Sequence, residues 1–134
     1  MSSLQVDNIQ SYNANPPVIK SSSGAEVGTF CRAWVNFNGT GTVAIRASFN
    51  VSSITDNGTG VYTVNFTTAM PDANYSITAT AAPVYNGSVV NTGDNMANDN
   101  TFVATTSLCN VCVRGNGSSF ATFDSLAVHV AIFR

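Results

Sequence analysis

The chain has 134 residues, a length that predicts one domain able to bury roughly two thirds of its unfolded surface without disulfide or metal support. Charged residues make up only 9%, against about 25% in average soluble domains, and Asn, Ser, Thr and Gly take their place. A net charge of −2 with no basic stripe excludes nucleic acid as an expected partner, and no apolar run of about 18 residues marks a membrane-spanning helix. A surface so poor in charge suits a protein locked into an assembly, where charges are costly to desolvate, or one that meets neutral polar ligands such as sugars.

Residues 1–29, "MSSLQVDNIQSYNANPPVIKSSSGAEVGT", read as an arm or connector. Leu4, Val6 and Ile9 are too few to build a core, and Pro16-Pro17 and a Ser/Gly stretch interrupt any regular element. No charged segment followed by an apolar run opens the chain, so no secretory leader is expected. Residues 30–134 are then the folded domain.

Residues 31–54, "CRAWVNFNGTGTVAIRASFNVSSI", alternate strictly. Odd positions give Cys31, Ala33, Val35 and Phe37, then Val43, Ile45, Ala47, Phe49 and Val51, an unbroken apolar set. Even positions give Arg32, Trp34, Asn36 and Asn38, then Ala44, Arg46, Ser48 and Asn50. Period-two alternation predicts a hairpin with its odd face in a core. The other face then carries the chain's single tryptophan and two of its five basic residues.

Further strands follow at short intervals. "ITDNGTG" supplies a tight turn at Asp56-Asn57-Gly58. "VYTVNFTT" sets Tyr62, Val64 and Phe66 on one face, and "NYSITATAA" alternates Tyr75, Ile77, Ala79 and Ala81 against Ser76, Thr78 and Thr80. Residues 83–100 are mostly turn chemistry, with a short strand at Val89-Val90, and "TFVATTSLCNVCVR" is a further strand. No window shows a capped 3.6-residue period. The fold class is all-β, an antiparallel β-sandwich of about seven or eight strands, jelly-roll-like.

The last segment, "FATFDSLAVHVAIFR", is apolar on both faces. Leu126, Val128, Val130 and Ile132 form one core set; Phe123, Ser125, Ala127, His129, Ala131 and Phe133 form the other. A strand apolar on both faces is covered on both faces, which points to another copy of the chain. The expected oligomer interface is Arg32, Trp34, Arg46, Phe123, Ala127, His129, Ala131 and Phe133.

The run "RAWVNFNGTGTVAIRASFNVSSITDNGTGVYTVNFTTAMPDANYSITATA", residues 32–81, closely resembles a module of tailed-bacteriophage tail-fibre proteins, of the kind found in marine cyanophages. "AWVNFNGTGTVAIR" and "SSITDNGTGVYTVNF" carry the likeness, and the arm "LQVDNIQSYNANPPVIKSSSGAEVG" resembles the connector before that module. The resemblance implies a virion structural protein, a homotrimer, and host-surface glycan binding at a fibre tip. The runner-up is a capsid or tail decoration protein, or head fibre, anchored to other virion proteins through residues 1–29. Its place would be the virion, after synthesis in the host cytoplasm.

Chemistry beyond this is sparse. Trp34 with Arg32 and Arg46 suits either a sugar platform or an interface anchor, and anchors of that composition are the commoner case. Tyr85, Asn86, Asn91, Asp94, Asn95, Asn98 and Asp99 crowd one long loop and are the candidate ligand contacts. Asp94 and Asp99 lack the Gly and bidentate Glu of a calcium loop, and Cys109-x-x-Cys112 has neither a second pair nor a nearby His, so no metal and no cofactor are expected. One histidine and no Gly-x-Ser-x-Gly elbow leave hydrolytic chemistry without parts, and the expectation is no enzyme.

Overall fold

The computed structural model describes residues 8–10, 17–82, 89–91, 103–115 and 121–134. Two units emerge, Met1–Phe30 and Cys31–Arg134. In the first, β1 (Ile19–Lys20) and β2 (Glu26–Gly28) pair antiparallel around a turn closed by Gly24 N–H to Ser21 O at 2.9 Å. Ile9, Val18, Ile19, Val27 and Phe30 stay exposed, as a hairpin of two short strands is too small to bury them.

The second unit contains β3 (Cys31–Asn38), β4 (Ala44–Phe49), β5 (Val51–Gly58), β6 (Val61–Phe66), β7 (Ser76–Ala82), β8 (Val89–Asn91), β9 (Leu108–Arg114) and β10 (Ala127–Phe133). They form two antiparallel four-stranded sheets, in the orders β4-β3-β10-β7 and β5-β6-β9-β8. The described residues hold no helix. Within this unit the first and last strands, β3 and β10, meet in one sheet, and the chain changes sheet after β4, β6, β7 and β9, the pattern of a jelly-roll-like sandwich.

The core between the sheets is supplied by alternate residues of four strands. Ala33, Val35 and Phe37 of β3 and Val128, Val130 and Ile132 of β10 face Tyr62, Val64 and Phe66 of β6 and Cys109, Val111 and Val113 of β9. Phe37 meets Tyr62 edge-on at 5.0 Å between ring centroids, and Phe66 meets Tyr75 at 5.8 Å. Such pairs add about 0.5–1.5 kcal/mol to plain burial. The polar ends of the tyrosines are also satisfied. Tyr62 Oη lies 3.1 Å from Gly39 O and 3.0 Å from Asp124 Oδ1, and that carboxylate also accepts from Gly60 N–H at 2.8 Å. A side chain at Gly39 would run into the Tyr62 hydroxyl.

The alternation misleads at β4. Val43 to Val51 reads as one strand with an odd core face, but every residue of β4 is exposed, with Ile45 at 36% and Phe49 at 55%. Two local events explain the difference. Asn36 pairs with Ala47 while Phe37 pairs with Ile45, so Arg46 is an extra residue and parity flips there. Ala47 and Phe49 consequently share the outer face with Trp34 rather than the core. Asn50 then adopts φ 55°, which turns the chain out of one sheet and into the other. Its side chain holds the corner: Nδ2 donates to Arg32 O and Thr68 O, each at 3.1 Å, and Oδ1 accepts from Thr68 N–H at 2.7 Å.

Two further expectations at the last strand are corrected. Leu126 is 53% exposed because β10 begins at Ala127, after Ser125 has turned inward to donate to Ala82 O at 2.7 Å. Phe123 lies before the strand and packs against the core, its N–H bonded to Val113 O. It is therefore not on the face with His129 and Ala131.

Candidate functional site

The first sheet turns one side to the core and the other outward. In register across the outward side lie Phe49, Trp34, Ala131 and Thr78, and beside them Ala47, Asn36, His129 and Thr80. All but Phe49 line a shallow groove of about 420 Å³, together with Val35, Ala79 and Val130. Trp34 is 40% exposed at one side of it, and Phe133 and Phe49 extend the apolar surface beyond it. Small residues, Ala47 and Ala131, make the depression between larger neighbours.

The cations border this surface. Arg46, freed by the bulge, reaches across β3: one guanidinium nitrogen donates to Asn36 Oδ1 at 3.3 Å and another to Leu126 O at 2.5 Å. These bonds hold the exposed guanidinium against the sheet. Arg32 is half-buried where β3 and β10 lose register between Ile132 and Phe133. Among the described residues no carboxylate lines the groove. Of the expected interface residues, Trp34, Arg46, Ala127, His129, Ala131 and Phe133 lie on this side of the sheet by alternation or contact, Arg32 lies at its border, and Phe123 lies elsewhere.

Asn36, Ala47, Thr78 and Thr80 also belong to the groove and were not singled out in the sequence. Thr78 and Thr80 had a usable signal in the polar half of the β7 alternation. Ala47 had none, because the bulge that turns it outward leaves no mark in composition.

The second sheet has an outer face of different chemistry. Asn65 Nδ2 donates to Ser53 Oγ and Thr55 Oγ1 at 3.1 and 3.0 Å, while Thr63 Oγ1 donates to Asn110 Oδ1 at 2.9 Å. Short neutral side chains thus bond to one another along β5, β6 and β9. Of the candidate ligand contacts, Asn91 ends β8, in register with Cys112. Tyr85, Asn86, Asp94, Asn95, Asn98 and Asp99 lie outside the described residues. The three cysteines form no disulfide, and Cys109 and Cys112 are buried on opposite faces of β9. Burial lifts the Cys109 thiol from its ordinary 9.0 to about 12, which makes it inert as a nucleophile or ligand at neutral pH. Among the described residues no cluster of His, Cys, Asp and Glu could hold a metal ion.

No family model and no curated protein matches the chain. Among solved structures it is similar to the phiAB6 tailspike, described in complex with three-repeated oligosaccharides of Acinetobacter baumannii surface polysaccharide. The TM-score is 0.50 at 17% identity, over 98% of this chain and 30% of the tailspike chain. At that identity the likeness concerns the fold. The chain spans under a third of the tailspike's length.

Proposed function

We propose that the chain is a virion structural protein of a tailed bacteriophage, a tail-fibre tip module that assembles as a homotrimer and binds a host-surface glycan. The observation that carries this reading is the outer face of the first sheet. Trp34, Phe49 and Phe133 stand exposed on it, Arg46 is pinned across it, and no carboxylate among the described residues lines its groove. Aromatic residues and Arg with few other charges is the composition of an interface core. The fold likeness to part of a tailspike, and the resemblance of residues 32–81 to marine phage fibre modules, support the same reading.

Four strands about 4.8 Å apart and seven residues long at about 3.3 Å each present roughly 400 Å². A standard interface buries about 800 Å² per partner, so this face alone is half of one. Contact with two neighbours in a ring, joined by the apolar residues of the arm, supplies the remainder. The hydrogen-bonded Ser, Thr and Asn face of the second sheet is left outward to meet a glycan.

The test is adsorption. Purified protein, added before phage, is expected to block adsorption to susceptible marine bacteria and to bind their extracted surface polysaccharide, and substitutions in 84–100 are expected to abolish both while leaving assembly intact. Protein that binds neither cells nor polysaccharide contradicts the receptor role. A second reading, a capsid or tail decoration protein, is favoured by the exposed Ile9, Val18, Ile19, Val27 and Phe30 of the arm. In that case deleting residues 1–29 releases a folded protein from particles.

A further inference from the structure

His129 lies near the middle of the outward side of the first sheet. It sits on β10, an inner strand, paired with Asn36 of β3 on one side and with Thr80 of β7 on the other. It is exposed and lines the groove, one row along from Trp34 and Ala131. Few charged groups surround it. From β4 comes Arg46, whose guanidinium donates to Asn36 Oδ1, so the cation and the imidazole flank the same amide residue. On this side β3 contributes Trp34 and Asn36, β7 contributes Thr78 and Thr80, and β10 itself contributes Ala127 and Ala131, none of which titrates. Arg32 stands at the border of the face, and beyond the end of β10 Arg134 is paired with Asp72. Among the described residues the groove therefore holds no carboxylate to receive a protonated imidazole.

We propose that His129 makes assembly through this face pH-sensitive: neutral imidazoles let copies of the chain meet, and protonation drives them apart. This rests on the reading that further copies cover the face, and adds the regulation of that contact. Histidine is the side chain whose charge ordinarily changes between about pH 5 and pH 8. Contact with another copy takes the imidazole out of water, and a buried charge without a partner is strongly disfavoured. In a symmetric ring every copy brings the same Arg46 and His129 to the contact, so protonation adds like charge to like. Both effects act in one direction. Assembled chains hold the proton less tightly than free chains, so assembly is complete above the titration range of histidine and is lost as pH falls through it. Each imidazole that must shed a proton weakens association about tenfold per pH unit, and three copies together about a thousandfold.

The experiment is the native mass of the intact protein by light scattering at one fixed concentration from about pH 8 to about pH 5, with circular dichroism of the same samples. The expected result is a three-chain mass at the upper end, falling toward the single-chain mass at the lower end with an unchanged spectrum. His129→Gln, neutral throughout, is expected to keep the three-chain mass. A parent mass that stays constant overturns the switch and leaves the assembly reading standing, whereas a single-chain mass at the upper end overturns both. A variant that dissociates as the parent does, or a spectrum lost together with the mass, also overturns the switch. Should His129→Gln fail to assemble at all, the chain's single histidine supplies an imidazole proton resonance to follow in the parent. Its titration is expected to coincide with the fall in mass, and a fall in mass without it overturns the proposal.

Discussion

Asn50 shows how much one side chain controls in this fold. It occupies a left-handed conformation that costs most residues about 1 kcal/mol or more, and its amide ties β3, the β4–β5 corner and the segment after β6. Asn50→Ala loses both the conformational tolerance and the bonds, and should destabilise the protein by about 2–3 kcal/mol in urea unfolding. Asn50→Gly keeps the conformation and loses only the bonds, so about 1–2 kcal/mol is expected. Equal, negligible losses for both would show that the corner is held by something else. Tyr62 and Tyr75 make a pH-dependent contribution. Burial raises both hydroxyls well above the ordinary 10.0, so the unfolded chain releases these protons at a lower pH than the native one. Cys109 behaves alike between 9.0 and about 12. Their stabilisation is therefore complete below pH ~9 and is lost as pH rises through the folded values. The urea midpoint should fall progressively above pH ~9, and Tyr62→Phe with Tyr75→Phe should flatten part of that fall. A midpoint independent of pH up to 11 would contradict the buried, hydrogen-bonded geometry of these groups.

At the scale of the element, β4 separates what alternation can reveal from what it cannot. For β3, β6 and β10 the buried set is the one that period-two counting picks out, because each is an inner strand with neighbours on both sides; β7, an edge strand, shows the same alternation between half-buried and exposed positions. β4 is an edge strand with a bulge, and a single inserted residue moves every later side chain to the other face. Neither Arg46 nor Asn50 announces itself: no glycine, proline or turn dipeptide marks the bulge or the corner. Trp34, His129 and Ala131 were legible as a shared outward set because they sit on the two central strands, in the stretch where these stay in register. The threonines of β7 were legible as polar but not as neighbours of Trp34, since strand order is not written in a local pattern. Ala47 provides the matching test. It is exposed in the single chain, so Ala47→Glu should change monomer stability by no more than about 0.5 kcal/mol. On a buried assembly face the same carboxylate has no partner and should reduce the assembly to monomers, seen as a loss of native mass with an unchanged circular dichroism spectrum. Retention of the parent mass would remove this face from the interface.

At the scale of the whole molecule, low charge acquires a structural meaning. The two sheets share one core and expose two unlike surfaces: an aromatic, groove-bearing face on β4-β3-β10-β7 and a lattice of amides and hydroxyls on β5-β6-β9. The ion pair between Asp72 and Arg134 is exposed at both ends, so charge pairing does little to hold the sandwich together. Burial of apolar strands holds the core, and the same chemistry left over on the outer face is what would hold copies together. The most direct measurement is therefore the native mass of the purified protein by light scattering over micromolar concentrations. The account predicts a stable species of three times 14.0 kDa. A monodisperse monomer across that range would contradict it, leaving Trp34 and the groove beside it as free surface rather than the seat of a neighbouring copy.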